Sequence, residues 1–260
     1  MSNDINQDVA KELVAQTAGK TYDDLAHPTA HATGQIVSFI PRTVKVWLGK
    51  WEKWILNGEY AIRETEKLLE EKLKHIPEDK IVEPEPYVAV PAIQQLSYSF
   101  DSEELRDMYA NLLAASMNVD TKWDVHPSFV EIIKQLTPDE AKLLKKMPKN
   151  SMTYAPLIDL RVNLGNGRGH VSTIRNFTNI ADDICESPQN ISSYIYNLNR
   201  LGIINVLEDI HVVETEKYQP LEHHPFIEGL RRGIPQLSTI HRKSYHLTEF
   251  GQAFIKTCVE

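Results

Sequence analysis

Apolar residues at Ile36, Ile40, Val44, Trp47, Leu48, Trp51 and Ile55 recur at spacings of three and four, which predicts an amphipathic helix with one buried face. The pattern continues through Tyr60, Leu68, Leu69 and Leu73 towards Pro77, giving one long helix or two collinear ones. Its start is expected near Gly34, with Pro41 either kinking it or marking its true start. Ahead of it, residues 1–20 read as a polar arm with helical tendency, and Tyr22–His31, with Pro28, as a lead-in. The run IPEDKIVEPEPY from Ile76 to Tyr87 mixes prolines with charge and reads as an extended connector.

Three compact helical signals follow. Asp101 with Glu104 has capping-box spacing, and the helix behind it would bury Leu105, Met108, Tyr109, Leu112 and Met117. Pro127 suits the start of a short helix through Leu136, and Thr137-Pro138-Asp139-Glu140 is a second capping box opening a helix over 138–147. Beyond it the pattern predicts a strand near Met152–Ala155, a helix from Ser172 to about Cys185, and a helix capped by Ser187-Pro188 that Gly202 ends. Ile203–Leu207 and His211–Val213 then read as strands with a partner at Ser244–Leu247, before a last helix from Thr248. Through IYNLNRLGIINV and YHLTEFGQAFI this order resembles a winged helix. The expected fold is mainly α within the α+β class: an α-helical region over 1–136 and a winged-helix-like domain with a small β-hairpin over 137–260.

The stretch Pro84–Lys142 holds an ordered set of features. It has prolines at 84, 86 and 91, the run Leu96-Ser97-Tyr98, the acidic opener Asp101-Ser102-Glu103-Glu104-Leu105 and the helix Tyr109–Met117. His126-Pro127-Ser128-Phe129 then runs into Gln135–Ala141. Together these resemble the abortive infection alpha family, with a looser likeness upstream at Tyr22–Leu25, His27-Pro28 and the long helix, covering about half of the chain. The resemblance implies a bacterial anti-phage protein acting in abortive infection, where a phage-triggered response stops the infected cell. It brings no catalytic residues.

At 260 residues with 42% hydrophobic and 25% charged side chains, the chain has the composition of a soluble globular protein of one large domain or two small ones. Cys185 and Cys258 lie far apart without CxxC spacing, which fits free thiols in a reducing compartment. The first twenty residues carry Asp4, Asp8 and Glu12 and no apolar core, and no apolar run reaches the ~18 residues of a spanning helix, so a cytoplasmic location is expected. Asp and Glu outnumber Lys and Arg nine to three over residues 81–136 and balance them at fourteen each over 137–260. That distribution speaks against broad nucleic-acid binding, which draws on neutralised phosphates.

Candidate contacts follow from these elements. The helix over 188–201 offers Gln189, Asn190, Ser192, Ser193, Asn197 and Arg200 to base edges or to a partner, and Arg231, Arg232, Arg242 and Lys243 cluster near the expected wing. One basic residue on that helix favours protein contact or dimerisation over DNA. Trp47, Trp51 and Trp54, interleaved with Arg42, Lys45, Lys50 and Lys53, suit a core, an oligomer interface or a membrane surface.

Other motifs read as structural. Gly165–His170 departs from G-x-G-x-x-G and lacks the Lys-Ser/Thr ending of a phosphate loop. Asp139, Glu140 and Lys142 have the letters of a metal-dependent nuclease core, but such a core needs them on adjacent strands, and one helical turn makes them caps. No histidine, including His126, His223 and His224, stands at metal-ligand spacing with a second ligand, and no G-x-S-x-G turn occurs. The expectation is therefore a non-enzymatic protein with no catalytic, metal or cofactor residues. It would act through a protein partner of phage or host origin or as a homo-oligomer, with a winged-helix DNA-binding regulator and a membrane-surface effector as alternatives.

Overall fold

Pro41 has extended ψ, and helix α1 (Arg42–Trp51) begins directly after it, burying Val44, Leu48 and Trp51 on one face. This computed structural model describes residues 40–52, 55, 58–99, 101–164, 168–234, 236–237 and 239–260, all within a compact unit, Ser38–Glu260. The polar arm, the lead-in, the start near Gly34, Trp54 and the centre of the glycine loop lie outside the described residues. α2 (Gly58–Leu73) is a separate helix whose buried positions Ala61, Ile62, Thr65, Leu69 and Leu73 keep the three-and-four spacing.

The connector reading is corrected at its C-terminal end. Pro86 opens helix α3 (Pro86–Leu96), which continues through Pro91. Pro86 gives up an amide that has no helical partner in the first turn, whereas Pro91 forfeits one internal bond. The buried stripe Val88, Ala89, Ala92, Ile93 and Leu96 offsets that loss. α4 (Glu103–Ser116) is capped by Ser102 rather than Asp101, the Ser102 hydroxyl accepting from the Leu105 amide at 3.3 Å. α5 (Ser128–Lys134) and α6 (Pro138–Lys146) follow. At the start of α6 the Thr137 hydroxyl accepts from the Glu140 amide at 3.2 Å, and the Glu140 carboxylate accepts from the Thr137 amide at 2.7 Å.

Four strands form one antiparallel sheet: β1 (Ala155–Asn163), β2 (His170–Phe177), β3 (Ile204–Leu207) and β4 (Thr239–Leu247), in the order β2-β1-β4-β3. The helix expected from Ser172 is overturned, since Val171 pairs with Val162 and Phe177 with Ile158. β-Branched residues at 171, 173 and 174 favour that extended backbone. The predicted Ser244–Leu247 strand is the end of a longer one that pairs β1 along Ala155–Arg161 and β3 along Ile204–Leu207. His211–Val213 is not a strand; Val212 is buried and donates its amide to the Tyr218 hydroxyl at 2.9 Å. The small hairpin thus becomes a four-stranded sheet, and the winged-helix order lacks its middle helix among the described residues.

α7 (Ile191–Arg200) precedes β3. Between β3 and β4 lie α8 (Gln219–Glu222) and α9 (Pro225–Gly233), which the sequence reading did not anticipate, and α10 (Glu249–Cys258) closes the fold. α4 is central, with α2, α3, α5, α6 and α10 packed round it. Buried residues from Ile40 to Cys258 make one hydrophobic cluster. Among the described residues no helix is long and apolar enough to cross a membrane.

Candidate functional site

A polar centre sits in the sheet. Strand pairing sets Asp159 on β1 opposite His241 on β4, and side chains two residues apart share a face, which brings Arg161 and Lys243 to the same place. Lys243 is 1% exposed, and its ammonium donates to Asp159 Oδ1 at 2.9 Å, to Glu208 Oε1 at 3.1 Å and to Asn176 Oδ1. The Asn176 amide donates to Asp159 Oδ1 at 2.9 Å. Asn176 lies where the β1–β2 register shifts and has φ 56°, a left-handed conformation that Asn tolerates better than most residues.

The Arg161 guanidinium lies 3.5 Å from Asp159 and 2.7 Å from His241 Nδ1. Arginine only donates, so Nδ1 accepts and the imidazole proton resides on Nε2. Burial and then the Arg161 charge hold the His241 pKa below its usual value. Asp159, Glu208 and His241 bring one ligand atom each within 4.8 Å of one another. The Lys243 ammonium, however, sits on both carboxylates and Arg161 on the imidazole. The trio could take a cation only with those groups withdrawn. Two acids and two bases balance here, and the ammonium has a partner for each of its three N–H bonds.

A cleft of ≈ 590 Å³ adjoins this centre, lined by Asp209, His211, Glu222, Arg231, Ile240, His241 and Arg242. Arg242 Nε donates to Glu222 at 2.6 Å, and its guanidinium lies over the Tyr218 ring at 5.2 Å. The hydrogen bond to Glu222 raises the Arg242 pKa further.

The structure thus brings Arg231 and Arg242 to one cleft. Arg231 lies on helix α9 rather than a wing, and Lys243 is buried where a solvent-facing contact was expected. Arg232, also on α9, is exposed, with its Nε 3.4 Å from the Glu228 carbonyl. On α7 and the turn before it, Gln189, Asn190 and Ser193 are exposed, but Asn197 and Arg200 are engaged internally. Asn197 donates to the Gln135 carbonyl at 2.9 Å and to Glu140 at 2.8 Å, and Arg200 donates to Asn197 at 2.6 Å and to Gln135 at 3.1 Å. Trp51 is buried and Trp47 packs against the core. Glu140 completes the capping box of α6, and Asp139 accepts instead from the Glu186 and Ser187 amides and the Tyr194 hydroxyl, while the acid and lysine on adjacent strands are Asp159 and Lys243, joined by Glu208 just past β3. The available sequence signal for that set was Asp159 inside the apolar run Leu157–Val162, because a charge amid buried strand positions needs a partner.

A sequence profile described as abortive infection alpha matches residues 57–258. No curated protein and no solved structure matches the chain.

Proposed function

The chain belongs to the abortive infection alpha family, which implies a part in abortive infection defence, and from that premise we propose that it works without catalysis, by holding a protein partner of phage or host origin or a second copy of itself. The observation that supports this reading is an aromatic pair left open on the family block. Trp123 is 82% exposed and Tyr87 62% exposed, and with Val88 and Val125 they line a groove of ≈ 140 Å³ whose rim carries Glu83, Glu85 and Lys122. Large aromatic side chains are the commonest anchors of protein interfaces because they bury much area at little entropic cost. Asn197 and Arg200 of α7 and the charged groups of the sheet centre are spent inside the fold, which leaves them less free to act on a substrate or on base edges.

The test is phage challenge of bacteria expressing the chain or its Tyr87→Ala/Trp123→Ala variant, scoring plaques and the survival of infected cells. Protection with death of infected cells is expected from the parent, and loss of protection from a variant whose melting curve is unchanged. Full protection by the variant would remove the groove from the mechanism.

A further inference from the structure

We propose that the cleft beside α9 and β4 is a binding site for a compact oxyanion, a phosphate group carried by a small molecule. Its volume of ≈ 590 Å³ falls in the range of small-molecule sites, about 300–1,000 Å³, yet among its lining residues only Ile240 is aliphatic. Such a lining suits a polar ligand. Glu222 and Arg242 satisfy one another at 2.6 Å, which leaves Arg231, His211, His241 and Asp209 to face an occupant. No hydrogen bond or ion pair involves the Arg231 guanidinium among the described residues, and because its Nε is closed off from the cleft, its terminal nitrogens are the donors that can meet an occupant. The two terminal NH2 groups of a guanidinium form a planar fork, and a tetrahedral oxyanion supplies the paired acceptors that this fork fits. His241 adds a second donor, because Arg161 occupies Nδ1 and fixes the ring proton on Nε2. Asp209 opposes an anion, but it is exposed, where water and salt screen it.

Nucleic acid carries the same phosphate chemistry, and the experiment separates the two sources. The full chain is titrated by calorimetry with inorganic pyrophosphate and, separately, with a short DNA duplex, alongside Arg231→Gln and Arg232→Gln. The proposal expects saturable binding of one pyrophosphate per chain, weakened about ten-fold or more by Arg231→Gln, the loss of a charge-assisted hydrogen bond. Arg232→Gln, one residue away on the exposed side, should bind as the parent does. Should Arg231→Gln fail to fold, Arg231→Lys keeps the charge, removes the fork and should still weaken binding. Absence of saturable pyrophosphate binding overturns the proposal, as does equal binding by the Arg231 variants. Binding of the duplex without pyrophosphate also overturns it, in favour of a nucleic-acid contact.

Discussion

Lys243 shows what a single side chain can cost and return. Its ammonium is almost fully removed from water and pairs with Asp159, itself 3% exposed, while Glu208 at 61% exposure adds a screened partner. Removing one member of a buried pair strands the other charge, so Lys243→Met should destabilise the fold by about 3–5 kcal/mol. Replacing Lys243 and Asp159 together by apolar residues should cost less than the single change. Urea midpoints of the single and double variants would check this; equal or greater loss in the double variant would mean that Lys243 matters through packing rather than charge. Asp139 makes a different statement. Burial raises a carboxyl pKa, but Asp139 accepts from the Glu186 amide at 2.9 Å, the Ser187 amide at 3.0 Å and the Tyr194 hydroxyl at 2.9 Å, and the net effect is a lowered pKa. A carboxyl depressed in the folded chain adds stability above its unfolded value, about 3.9, and loses it as pH falls through the lower folded value. Asp139→Asn should therefore be less stable than the parent at pH 7 by about 1–3 kcal/mol, with the gap closing below about pH 4. A gap that stays constant from pH 7 to pH 3 would show that the charge of Asp139 is not the source.

Elements were legible where one local rule dominated. α6 was marked by a proline and a capping box at its first turn, and α1 by Pro41 and a one-sided apolar stripe. α3 was hidden because its opening Pro86 read locally as the end of an extended connector, while its stabilisation comes from five buried residues that meet other helices. β2 was mistaken for a helix because its contacts are with β1, and β4 was read short because its N-terminal half pairs a strand about eighty residues earlier in the chain. The same long-range pairing hid the cleft, since Arg231 reaches it from a helix that the wing reading did not contain. α10 shows how tightly an element can be seated. The Thr248 hydroxyl caps it through the Gly251 amide at 2.8 Å and donates to the Gly202 carbonyl at 2.6 Å, and a Cβ on Gly251 would meet the Ile203 carbonyl oxygen at 2.0 Å. Both groups in that clash are held by backbone, so Gly251→Ala should destabilise by about 1–3 kcal/mol or more despite alanine's better helix propensity. Thermal unfolding of the variant checks the sign; a stabilised Gly251→Ala would mean that α10 can slide away from β3.

At the scale of the whole molecule, the helices before residue 137 and the elements after it share an aromatic contact. Phe129 on α5 lies 5.4 Å from Phe250 and 5.3 Å from Phe254 on α10, with His126 5.9 Å from Phe250. Asn111 on α4 donates to the Cys258 carbonyl at 3.1 Å, and Lys256 reaches Asp124 at 2.7 Å. Phe254 and Phe129 are almost fully buried, so neither side can be removed without baring the other's apolar face. The chain should therefore unfold in one cooperative step, and its own chromophores allow the test. All four tryptophans lie between positions 47 and 123, so their fluorescence follows the helical part, whereas far-UV circular dichroism also registers the sheet and the helices after residue 137. Coincident urea transitions by the two probes are expected for the parent. Phe254→Ala removes a ring from the shared contact and should cost about 3–5 kcal/mol, moving both transitions together to lower urea. If the fluorescence transition held its place while the circular dichroism transition moved, the helical part would be independently stable, and a phage-protection experiment on a chain ending at Thr137 could be read as a test of that part alone.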